Sequence, residues 1–96
     1  MNVKFKQWDC KINVRQYGNG RTALQLVDAK TSEPIATATV NVPDAILEDN
    51  EILIKDYSEN TGMLNALVET GIVTDTGKRV ETGFVTIPVC LFKNPD

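Results

Sequence analysis

The feature that most constrains this chain is a pair of alternating apolar stretches set on either side of Tyr17-Gly18-Asn19-Gly20-Arg21. Trp8, Cys10, Ile12 and Val14 occupy every second position, with Asp9, Lys11, Asn13 and Arg15 between them. Successive side chains of an extended strand point to opposite faces, so this pattern buries one face and wets the other. Two glycines and an asparagine supply the positive φ angles of a tight hairpin. Arg21 to Asp28 then returns as a strand, with Thr22, Leu24 and Leu26 on one face and Ala23, Gln25 and Val27 on the other. Upstream, Val3 and Phe5 have the opposite parity, which a bulge or bend near Lys6 or Gln7 would reconcile.

Downstream, Asp28 to Pro34 collects turn formers, and Ile35 to Val42 is β-branched at five positions, Ile35, Thr37, Thr39, Val40 and Val42. Pro43 ends that strand, having no amide hydrogen for a ladder. Asp44 to Asn50 reads as an acidic connector, with Ala45, Ile46 and Leu47 pinned to the core, and Glu51 to Tyr57 as another strand. Ser58, with Asn60 as its rival, is the candidate N-cap of one helix. Met63, Leu64, Leu67 and Val68 give that helix an apolar face, and Gly71 stands where a C-terminal glycine belongs. Ile72 and Val73 begin a short strand, Asp75 to Lys78 is a turn, and Gly83 to Phe92 is an extended run in which Pro88 argues for an edge strand or a break.

The expected architecture is α+β: an antiparallel meander sheet of about five strands, with one amphipathic helix packed on one face. An all-β barrel plugged by the helix is the alternative. Trp8, Ile12, Leu24, Leu26, Ile54, Leu64, Leu67 and Val85 are the expected core. Ninety-six residues, 42% hydrophobic and 24% charged, suit a single domain over residues 1–96 and are too apolar for disorder. No apolar run approaches the roughly 18 residues of a membrane span, and the start reads as a strand rather than a secretory signal.

The absence of histidine and the presence of only two cysteines, Cys10 and Cys90, leave too few ligands for a zinc site. Asp44, Glu48, Asp49 and Glu51 lack the spacing and glycine of a calcium loop, so no metal or cofactor is implied. Without a secretory signal, the cysteines are expected to be reduced, half-buried strand residues in a cytoplasmic protein. Charge is polarised: residues 1–21 carry +4 and residues 44–59 carry -5, within a net charge of -3. Such polarity can steer a charged partner.

Motifs for catalysis are weak. Gly18-Asn19-Gly20 lies between strands and lacks the later glycine of a dinucleotide loop; Thr76-Gly77-Lys78 lacks the first glycine of a Walker loop, since Ile72 stands there. Asp56 to Gly62 is the densest polar cluster, but without histidine only Lys55 or a carboxylate could serve Ser58 as a base, and capping explains most of the cluster. Lys4, Lys6, Lys11, Arg15 and Arg21, with Phe5, Trp8 and Tyr17, suggest a nucleic-acid platform. Parity opposes it, because Trp8 shares the core face while Lys11 and Arg15 point away, and the sequence pI of about 4.8 opposes it further.

Trp8-Asp9-Cys10, Tyr17 to Leu24, Glu33 to Asn41, Ile54 to Asn60 and Gly83 to Cys90 together resemble a group of small uncharacterised proteins of bacteriophages and mobile elements of gut bacteria. The resemblance implies an accessory protein in a bacterial cytoplasm and brings no catalytic motif. The expected function is a non-catalytic binding module acting on a protein partner through Asp44, Glu48, Asp49, Glu51, Asp56 and Glu59. Nucleic-acid binding is the rival and a small enzyme the third reading.

Overall fold

In the computed structural model, residues 2–93 are described. The chain runs β1 (Asn2–Phe5), β2 (Trp8–Gln16), β3 (Thr22–Asp28), β4 (Pro34–Thr37), β5 (Glu51–Leu53), a 3-10 turn (Ser58–Asn60), α1 (Met63–Thr70), β6 (Val73–Thr82) and β7 (Val85–Phe92). The fold is α+β with antiparallel sheets and one helix, but there are two sheets instead of one five-strand meander. The first has the order β1-β2-β3-β4 and the second β5-β7-β6.

The expected hairpin is present, with Ile12 opposite Leu26 and Val14 opposite Leu24. The parity change upstream of Trp8 comes from a complete reversal, not a bulge: Phe5 pairs with Trp8, leaving Lys6 and Gln7 as a two-residue turn with Lys6 at φ 55°. Val3 and Phe5 thus reach the core from a strand of their own.

After Thr37 the chain passes from one sheet to the other. Ala38 N–H donates to Leu24 O at 2.8 Å, Thr39 bridges Ile54, and Val40 N–H donates to Leu53 O at 3.1 Å. Ile52, Leu53 and Ile54 are all buried, which one face of a meander cannot accommodate; β5 is covered on both sides. Inward, Ile52 and Ile54 join Phe5, Leu24, Leu26, Leu67 and Phe92 in the main core. Outward, Leu53, Ile87 and Val89 form a second cluster under Ala45 and Leu47 of the connector and Val42 just before it. Val85 belongs to this second cluster, and Trp8 and Leu64 only pack half-buried against the first.

Two further expectations change. Asp75 to Lys78 is an irregularity within β6, with Gly77 at φ +84°, so the strand continues to Thr82. Pro88 lies in β7, the central strand of its sheet. Its carbonyl accepts from Ile54 N–H at 3.1 Å, and in an antiparallel ladder a residue's N and O point to the same neighbour. The missing N–H therefore faces the end of β5, where the register stops at Leu53 opposite Val89.

Helix α1 packs against β1 and β6, the outermost strands of the two sheets. It spans the gap that a closed barrel would fill with a β1–β6 ladder. Met63 and Leu67 are fully buried, Leu64 and Ala66 are half-buried, and Val68 is exposed, so the buried stripe is narrower than the sequence spacing predicts. Cys10 and Cys90 are both free, and both are fully buried in the main core instead of half-buried. Burial pushes the Cys90 thiol up to about 12.

Candidate functional site

The six acidic residues read from the sequence do not form one surface. Asp56 and Glu59 belong to the start of the helix. Asp56 Oδ1 accepts from Gly62 N–H and Leu64 N–H, both at 3.0 Å, and so satisfies amides that the helix leaves open. Ser58 is not the cap: with φ 55° it opens the 3-10 turn, and Gly62 stands at the helix boundary. Glu59 pairs with Lys55, which holds its carboxyl below the usual range, and its carbonyl accepts from Lys6 Nζ at 2.7 Å. Asn60, 2% exposed, donates to Thr37 O at 2.7 Å and ties this turn to β4.

Glu48, Asp49 and Glu51 do come together, in a cleft of about 450 Å³ that they line with Asn19, Arg21 and Phe92. Glu51 sits inside it, 8% exposed, ion-paired with Lys78 and accepting from Glu48 N–H at 2.9 Å. These contacts, Lys78 foremost, hold its carboxyl below the usual carboxylate range. Its role is internal. Asp44, Glu48 and Asp49 are exposed and make no ion pair among the described residues.

Arg21 explains the shape of this connector. Its guanidinium donates to Val42 O at 2.7 Å and to Ala45 O, fastening the segment to the β2–β3 hairpin. Ala45 and Leu47 pack on the second cluster. Between them Ile46 is 96% exposed, contrary to the expectation that all three are pinned. The neighbours turn inward and Ile46 is left outside.

A second apolar residue missed by the sequence reading is Phe84. It lies in a hairpin loop, Gly83-Phe84, closed by the pair Thr82 and Val85, and is fully exposed. Glycine at the first position of a two-residue loop is a hairpin signal, so this tip was legible.

Of the five cations proposed for nucleic acid, Lys6 and Arg21 are engaged by backbone carbonyls. Lys4, Lys11 and Arg15 are exposed on the outer side of the first sheet, while Trp8 packs against the main core. Trp8 therefore does not lie beside these three cations as a stacking platform would require. At the strand-helix junction Asp56 caps the helix amides and Lys55 pairs with Glu59. No three Asp, Glu or Cys side chains among the described residues converge as a metal site requires. No described helix is long and apolar enough to cross a membrane. Comparison of the chain with protein-family models, with curated proteins and with solved structures gave no match.

Proposed function

We propose that this protein is a non-catalytic binding module that engages a protein partner through the connector 43–50. The observation that carries this reading is Ile46, a large apolar side chain 96% exposed on a segment held by Arg21 and by its own neighbours Ala45 and Leu47. A fixed loop loses little conformational freedom on association, and an exposed apolar side chain in its middle gains most from burial in a pocket. Asp44, Glu48 and Asp49 flank it and would raise the rate of encounter with a basic surface. The resemblance to proteins of phages and mobile elements supports an accessory role in a bacterial cytoplasm, and the two buried, unpaired thiols suit a reducing compartment.

The test is a photo-crosslinking residue placed at Ile46, with a second protein labelled at Lys11 on the first sheet as the control. Irradiation in bacterial lysate should give a discrete adduct from position 46 alone, lost in the variant Glu48→Lys/Asp49→Lys. Equal labelling from both positions, or an adduct indifferent to the charge reversal, refutes the reading.

A further inference from the structure

The apolar residues that roof the outer face of the second sheet are themselves only half-buried. Ala45 and Leu47 of the connector, Val42 just before it, and Val80 and Val85 of the β6–β7 hairpin are half-buried around Leu53, Ile87 and Val89. In the chain Ile46 stands between Ala45 and Leu47, and Phe84 stands next to Val85, so each of these exposed apolar side chains adjoins a half-buried residue packed on that cluster. Two exposed apolar side chains bordering half-buried apolar residues mark an interaction surface more strongly than Ile46 alone.

Charge selects the occupant. The β6 cations are already used, Lys78 by Glu51 and Arg79 by Asp75, while Asp44, Glu48 and Asp49 are unpaired among the described residues. A second copy placed on this face would bring two acidic rims together, and an anionic membrane would meet the same repulsion. Resting on the loop reading above and extending it, we infer that Ile46 and Phe84 are two anchors of one docking surface for a cationic amphipathic segment of the partner. Its apolar side chains would pack on Ile46, Phe84 and the half-buried residues around the cluster, and its lysines or arginines would meet the acidic rim. The β6–β7 hairpin thereby becomes part of the recognition surface, which the connector alone does not require.

The experiment titrates the full chain with a synthetic amphipathic peptide of leucine and lysine, following amide shifts by NMR and affinity by fluorescence anisotropy. Shifts should concentrate in residues 42–48 and 80–87. Ile46→Ser, Phe84→Ser and the neutralised rim Asp44→Asn/Glu48→Gln/Asp49→Asn should each weaken binding about tenfold or more, as removal of interface anchors does. Val68→Ser, at the exposed apolar position of α1, should leave it unchanged. If Phe84→Ser binds like the parent while Ile46→Ser is weakened, the joint surface is overturned and the loop reading stands. If neither matters, or the shifts fall on the Lys4, Lys11 and Arg15 face, both are overturned. Equal binding of a leucine-glutamate peptide or of anionic vesicles, or a concentration-dependent dimer, overturns the cationic occupant.

Discussion

Replacing Leu67 by alanine tests the central packing statement, that α1 completes the main core between β1 and β6. Leu67 is 0% exposed and shares a cluster with Phe5, Leu24, Leu26 and Phe92, residues drawn from both sheets. The substitution removes the transfer free energy of three buried carbons and leaves a cavity whose walls, two sheets and a helix backbone, cannot easily collapse. Leucine-to-alanine changes at such sites cost about 3 to 5 kcal/mol, a large part of the 5 to 15 kcal/mol that holds a domain of this size together. With a urea dependence of about 1.5 kcal/mol per molar, the denaturation midpoint should fall by about 2 to 3 M. Val68→Ala, one residue on and exposed, supplies the control for helix propensity and should cost under about 1 kcal/mol. Glu48→Ala should change stability by less than about 0.5 kcal/mol. Far-UV circular dichroism across a urea series reads all three. A Leu67→Ala midpoint within about 0.3 M of the parent would mean that the helix does not seal the core, and the arrangement of α1 against the two outer strands would have to be abandoned.

Asp56→Ala should destabilise by about 0.5 to 2 kcal/mol through two unsatisfied amides, with Asp56→Asn recovering much of it, measured by the same denaturation. Glu51 titrates below its ordinary value of 4.5 in the folded protein, so the unfolded chain binds more protons in that range and stability rises with pH. Its contribution is complete above about pH 4.5 and is lost as pH falls through the lower folded value; Glu51→Gln should flatten this acid limb in urea titrations between about pH 3 and 6. Cys90, buried and pushed up to about 12, should resist iodoacetamide at neutral pH until the protein is unfolded, so mass-spectrometric labelling in the native state would contradict its burial.

The β2–β3 hairpin could be read from the chain because two local signals agree there: alternation on both arms and glycine-asparagine chemistry between them. Recognition of β1 as a separate strand failed at Lys6, a non-glycine residue in a left-handed turn conformation that its residue type does not announce. The second sheet was hidden for a different reason. Ile52-Leu53-Ile54 buries every side chain, a pattern that arises only when tertiary neighbours cover both faces, and a single-sheet reading had none to offer. Of the six acidic residues only Asp44, Glu48 and Asp49 lie on the connector, and sequence distance cannot distinguish the exposed carboxylates of Glu48 and Asp49 from the buried Glu51 or the capping Asp56. Ile46 was assigned to the core by composition, and only the inward turn of Ala45 and Leu47 reveals it as the residue left outside.

The order β5-β7-β6 has a consequence for how the chain acquires its structure. β1 to β4 pair consecutively, so each ladder closes a short loop and can form early at small entropic cost. β5 has no such neighbour in sequence: Leu53 must wait for Val89, whereas β6 and β7 close a two-residue hairpin of their own. Folding should therefore proceed in two unequal acts, fast closure of the β1–β4 meander and of the β6–β7 hairpin, and slower docking of that hairpin onto β5. Until that docking, the Ile52 and Ile54 side chains lack Cys90 and Phe92, and the helix closes over a half-built interior. Mutations in β2 and β3 should accordingly alter the folding rate, and those that loosen the β5–β7 ladder the rate of unfolding.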